Sequence, residues 1–243
     1  MYYPRFKPFL MFGLFILVFL LGIIIERNNW LADFLFYSED IVYLTGEHLH
    51  LVAISGGLAI VIGIPLGILL SRHSVRSVSE SAMQVLNIGT TIPTLAILAL
   101  SMSFLGIGTV PAVFGLTIAS LLPIVRNTYT GLLEVPAYLK EAASGIGMTP
   151  VQMLIKVEIP NALYVIFAGV RTALAINVGT VPLAFLIGGG GLGELIFTGI
   201  DLNRPIMMLA GAIPTAILAI LIDLLVALVA WFLVPKGVNP LRN

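Results

Sequence analysis

Pro136-Ala-Tyr-Leu-Lys-Glu-Ala-Ala-Ser-Gly-Ile-Gly-Met-Thr-Pro-Val-Gln-Met-Leu-Ile-Lys-Val-Glu-Ile-Pro160 is a polar island between two long apolar runs. Pro136 suits the first turn of a helix, since its missing N–H would have had no helical partner there. Gly145 and Gly147 suit the stop of that helix. Thr149 followed by Pro150 is a cap and first-turn pair, so a second short helix is expected to begin there. Val151, Leu154, Ile155 and Ile159 are spaced for one helical face. Pro160 is expected to break the chain before the next apolar run. The expected product is two short helices joined by a glycine turn, lying on a membrane surface.

Working outward, the flanking runs Val110–Leu133 and Ala162–Ile187 are each long enough to cross a bilayer, which needs about 20 apolar residues. Further runs are Phe9–Ile25, Leu51–Leu70, Ala82–Phe104 and Ile206–Val234. Six spans are therefore expected in an all-α membrane protein. Phe9–Ile25 follows Arg5 and Lys7 as a signal peptide would. It ends in Glu26-Arg27-Asn28-Asn29-Trp30 rather than in small residues, so it is read as a retained span. Of the 243 residues 59% are hydrophobic and only 10% charged, more apolar surface than one water-soluble core can bury.

Lys and Arg set the orientation. Arg5, Lys7, Arg72, Arg76, Arg126, Lys140, Lys156, Lys236 and Arg242 fall on one side, Arg27 and Arg204 on the other. The first side is expected to be cytoplasmic and to hold both termini and the 136–160 stretch. The other side carries Glu26, Asp33, Glu39, Asp40, Glu47, Glu194 and Asp201. Pro65, Pro93, Pro123, Pro182 and Pro214 lie inside spans. Pro93 and Pro182 act either as packing kinks or as flex points of a moving pathway. Ala59, Gly63 and Gly67 form a small-residue face that lets another helix approach.

Glu141-Ala142-Ala143, then Gly147, then Val157-Glu158-Ile159-Pro160 resembles the EAA loop of permeases of ABC importers. The resemblance implies a type I ABC importer permease fold, with this loop docking into a cytoplasmic ATPase subunit. Glu141, Ala142, Ala143, Gly147 and Pro160 are the residues it marks. Small Ala side chains permit close approach, a carboxylate accepts charge-assisted hydrogen bonds, and Gly147 permits a left-handed turn. Leu122-Pro123-Ile124-Val125-Arg126-Asn127-Thr128-Tyr129 and Gly188-Gly-Gly-Gly-Leu-Gly-Glu194 look like permeases of osmoprotectant importers, whose solutes are glycine betaine, choline, carnitine and related quaternary amines. That likeness runs from about His48 to Val234. It implies a tail, first span and outer loop over 1–47, a transmembrane domain over 48–234 with its coupling loop at 134–160, and a tail over 235–243. It further implies a bacterial inner-membrane location, a second permease copy or paralogue, two ATPase subunits that bind the ATP, and an extracytoplasmic binding protein. Another small solute, such as an amino acid, is the alternative.

Other signals carry less. Gly188, Gly190 and Gly193 match a dinucleotide fingerprint in letters, but follow a span rather than a strand. No Gly-Lys-Ser/Thr occurs, so no ATPase or other enzyme activity and no cofactor is expected in this chain. There is no Cys, and His48, His50 and His73 are not spaced as metal ligands. His48 and His50 are placed at the outer edge of the second span, outside the membrane interior. Arg171 and Asp223 lie deep in the last two spans. Such charges are costly in a bilayer, so they are expected to pair as an architectural lock, or else to face water separately. Phe104, Phe114, Tyr164, Phe167 and Phe185 are read as lipid- or core-facing, and no substrate site is assigned. An ion-coupled secondary transporter and a membrane-embedded enzyme are the rivals. The first lacks an internal repeat, and the second lacks His, Cys or paired carboxylates in the spans. No basic footprint for nucleic acid is present.

Overall fold

The computed structural model describes residues 29–238, so the expected first span at Phe9–Ile25 lies outside the described residues. Ten helices are described: α1 (Trp30–Phe36), α2 (Ser38–Leu70), α3 (Arg76–Gly89), α4 (Thr94–Leu105), α5 (Thr109–Leu133), α6 (Ala137–Gly145), α7 (Pro150–Met153), α8 (Ile159–Thr180), α9 (Gly193–Asp201) and α10 (Pro205–Leu233). A π-helical turn, Leu154–Glu158, joins α7 to α8, and a 3-10 turn, Val181–Ile187, prolongs α8. No strand occurs among the described residues.

Four helical runs are long and apolar enough to cross a bilayer: Ser38–Leu70, Thr109–Leu133, Pro150–Ile187 and Pro205–Leu233. Three departures from the expected spans have physical reasons. α2 starts at Ser38, not Leu51, because its outer turns pack against the rest of the acidic end: Leu44 is buried with Leu192, Leu195 and Ala210. The run Ala82–Phe104 is not one straight helix. It is a pair bent by 101° where Pro93 removes a backbone donor. Pro160, in turn, does not break the chain. It follows directly on the π turn Leu154–Glu158, where the regular α-helical bonding is already interrupted, and helical structure runs on through it to Ile187.

α2, α5 and α8 form the centre of the molecule. Lipid tails are as apolar as leucine, so close packing and hydrogen bonds hold such helices together rather than the hydrophobic effect. A Cβ on Gly63 would stand 2.9 Å from Ile124, and one on Gly67 would stand 2.6 Å from Thr128, so α2 and α5 meet along the small-residue face. Leu51, Leu98, Leu116, Val178 and Val181 fill the outer half of the core. Ala59, Ile124, Val170, Ala173 and Val226 fill the inner half. Between the halves sits a dry polar node. Asn177 Nδ2 donates to Ser120 Oγ at 2.6 Å and to Ser55 Oγ at 2.9 Å, tying α8 to α5 and α2. Such bonds contribute about 0.6 kcal/mol each, so the node fixes register more than it adds stability. α10 packs on α8 and α9, and its other side (Ile217, Ile220, Leu224, Leu228) is exposed and apolar, as a bilayer-facing surface is.

Candidate functional site

The 136–160 stretch leaves α5 at the end of the molecule that carries Arg72, Lys140 and Lys156, called the basic end below. α6 begins after Pro136 and ends in a hydrogen-bonded C-terminal turn. The Met148 N–H donates to Ala143 O at 3.1 Å and the Gly147 N–H to Ser144 O at 2.9 Å, with Gly147 at φ 81°. This is the Schellman arrangement, and it needs a residue that tolerates the left-handed region. No atom lies within 4 Å of a Cβ built on Gly147, so backbone conformation rather than crowding calls for glycine there. Thr149 then caps α7 reciprocally. The Gln152 N–H donates to Thr149 Oγ1 at 3.3 Å, and the Thr149 N–H to Gln152 Oε1 at 2.9 Å.

The loop is anchored from below. Lys140 Nζ donates to Leu132 O at 3.1 Å. Leu139, Leu154 and Ile159 pack on buried Leu132, Val135, Ala162 and Ile166. The apolar residues of α7 and the π turn therefore do not share one face. Leu154 and Ile159 turn inward, whereas Val151 and Ile155 join Tyr138 and Ile146 as exposed apolar side chains. Ala143 is buried, while Glu141, Ala142 and Gly147 are exposed, and Pro160 is half-buried. The outcome is an anchored knob with an apolar crown and one free-standing carboxylate, Glu141.

Glu158 is a site residue that the sequence reading passed over. Its side chain is only 7% exposed, and its Oε2 lies 2.7 Å from Nη1 of Arg72, beyond the end of α2. The signal was present: Leu154, Glu158 and Ala162 form one i, i+4 row, and the other two members face the core, so a carboxylate there needs a partner. A cavity of about 540 Å³ opens beside the pair, lined by Arg72, His73, Glu80, Tyr129, Lys140 and Glu158 among others.

Within the membrane, Arg171 Nε donates to Asp223 Oδ1 at 2.8 Å and Nη2 to Oδ2 at 2.5 Å, joining α8 to α10 in a two-pronged ion pair. At the acidic end, Glu47 Oε2 accepts from the Gly191 N–H at 3.1 Å, and Tyr43 Oη donates to Glu47 Oε1 at 3.0 Å. The glycine run 188–191 is thus a clasped loop, not a free turn. His48 is not an edge residue: it is fully buried, with Nε2 3.1 Å from Val178 O. Phe185 stacks on Phe197, Tyr164 and Phe167 flank Arg171, and Phe104 and Phe114 line a groove beside the bent helix pair. No group of three His, Cys, Asp or Glu among the described residues is placed to hold a metal.

Comparisons with known proteins agree with this architecture. Residues 63–236 match the family described as binding-protein-dependent transport system inner membrane component. An osmoprotectant import permease protein, OsmY, of Salmonella typhimurium is 54% identical over 193 residues, covering 79% of this chain and 80% of the relative. A glycine betaine/carnitine/choline transport system permease protein, OpuCB, of Bacillus subtilis is 42% identical, covering 84% of this chain and 93% of the relative. Among solved structures, an inward-facing MetNI methionine ABC transporter superposes with a TM-score of 0.74 at 26% identity, over 80% of this chain and 96% of that one. The chain belongs to the binding-protein-dependent inner membrane components, and its fold is that of an ABC importer permease.

Proposed function

We propose that this chain is one permease half of an ATP-driven importer that brings small osmoprotectants, glycine betaine and related methylated amines, into a bacterial cell across the inner membrane. The knob at Tyr138–Pro160 carries the proposal. Its exposed crown of Tyr138, Ile146, Val151 and Ile155 suits a groove on an ATPase subunit, and Glu141 suits a basic residue or a set of backbone amides there. The knob continues through the π turn into α8 without a break in helical structure, which gives a displacement by the ATPase a direct route to the membrane core. ATP is bound and split by the partner subunits, a binding protein delivers solute at the acidic end, and a second permease half completes the pathway. The solute class follows the relatives at 54% and 42% identity rather than the methionine transporter at 26%.

Uptake of radiolabelled glycine betaine and choline tests the proposal, in a strain lacking its own importers and carrying this chain with its neighbouring transport subunits. Uptake that depends on the chain is expected. Glu141→Ala combined with Gly147→Asp is expected to abolish uptake and co-purification of the ATPase while the permease still reaches the membrane. Intact uptake in that double variant, with no ATPase co-purifying from the parent, overturns the reading.

A further inference from the structure

The bend between α3 and α4 is the strongest unexplained feature of the molecule. α3 rises from the basic end and reaches mid-depth at Gly89. A Cβ there would stand 3.3 Å from Leu122, which lies halfway along the membrane-crossing α5. The chain then leaves helical geometry through Thr90, Thr91, Ile92 and Pro93. The Thr90 and Thr91 hydroxyls donate back to Asn87 O at 2.6 Å and Ile88 O at 2.7 Å. Their protons are thereby used, which leaves the hydroxyl oxygens as acceptors only. The carbonyls of Thr90 and Thr91 accept no hydrogen bond within the chain, and the Thr94 and Leu95 amides donate none. Asn87, Thr90, Thr91 and Pro93 are all exposed.

Open backbone groups at mid-depth cannot face lipid, since each unsatisfied group costs several kcal/mol in hydrocarbon. They are tolerated only against protein or in a water-filled passage. Beside the turn runs a groove of about 600 Å³, lined by Leu86, Gly89, Ile92, Leu100, Phe104 and Phe114 among others, and almost wholly apolar. Carbonyl and hydroxyl lone pairs beside an apolar, aromatic wall form an uncommon combination. It matches a trimethylammonium head, which has positive charge, no N–H to donate and three methyl groups to bury.

We propose that the Thr90–Pro93 turn lines the aqueous translocation path and, with the Phe104–Phe114 groove, is the point where the methylated ammonium head of the solute exchanges water for protein. This rests on the methylated-amine reading above as far as the ligand is concerned. The assignment to the aqueous path does not.

The native chain has no cysteine, so a single introduced thiol reports its own surroundings. Thr91→Cys is placed in the assembled transporter in membrane vesicles and treated with a methanethiosulfonate reagent bearing a trimethylammonium group. Leu225→Cys, on the exposed apolar side of α10, is the comparison. Thr91→Cys is expected to react at least about tenfold faster, since a thiol ionises in water and not in lipid. Glycine betaine or choline is expected to slow it. Thr91→Val is expected to raise the half-saturating choline concentration about threefold through the lost acceptor, while Thr91→Ser leaves it unchanged. Equal labelling at the two positions, or labelling that solute does not slow in a complex with intact uptake, overturns the proposal. Should the unsubstituted complex take up no methylated amine, the functional reading fails. Labelling of Thr91→Cys then still decides whether the turn faces water.

Discussion

Two arginine–carboxylate pairs hold distant segments together, and they are built differently. Arg171–Asp223 is two-pronged and joins neighbouring helices, and its side chains are 42% and 34% exposed in the single chain. Arg72–Glu158 is a single close contact off the hydrogen-bonding axis, but its carboxylate is almost fully enclosed by the roots of the knob. Geometry favours the first pair. Dependence favours the second, because an enclosed charge that loses its partner has little water to turn to.

The largest expected effect is therefore at Arg72. Arg72→Ala should destabilise the detergent-solubilised chain by about 2–3 kcal/mol, somewhat below the usual cost of stranding a buried charge because Arg72 itself reaches solvent. Thermal unfolding checks this, and adding Glu158→Gln should recover most of the loss. A milder effect from Arg72→Ala than from Arg171→Ala would break the comparison. Arg171→Ala should cost about 1–2 kcal/mol by the same measurement, since two charge-assisted bonds are lost at a site that water or a partner chain still reaches. Gly147→Ala should cost about 1 kcal/mol through its left-handed backbone and weaken ATPase co-purification, which a pull-down reads. The smallest change is Arg171→Lys, about 0.5 kcal/mol, because an ammonium keeps the charge but not the planar fork.

Hydropathy showed the chain to be a membrane protein because apolar runs of bilayer length have few other uses. It placed α5 and α10 within a residue or so of their ends. It failed on α2, whose first turns carry Glu39, Asp40 and Glu47 and so resemble a loop. Those charges belong to a helix because Glu47 serves the glycine run 188–191 and Leu44 the core behind it. Pro93 was legible as a place where the helix could kink, but not the 101° bend, since the size of a bend is set by what the two halves pack against and not by the proline alone. Proline as a breaker misled at Pro160, which follows a π turn inside a helical run that continues to Ile187. Gly147 was legible as a helix stop and Thr149-Pro150 as a cap, because a left-handed turn and a first helical turn each restrict the residue they accept. Glu158 was legible only as a carboxylate on a core-facing row, because the partner that gives it meaning, Arg72, lies far away along the chain.

The unbroken run Pro150–Ile187 has a mechanical consequence. At 1.5 Å per residue its 38 residues make a beam about 57 Å long, with the knob at one end and the Glu47-clasped glycine loop at the other. A tilt of about 5° around its middle swings each tip by about 2.5 Å in opposite senses. That is close to the 3.1 Å of the hydrogen bond between Glu47 and Gly191, so on the proposed docking of the knob a small push there would be a see-saw stroke that reaches the far clasp.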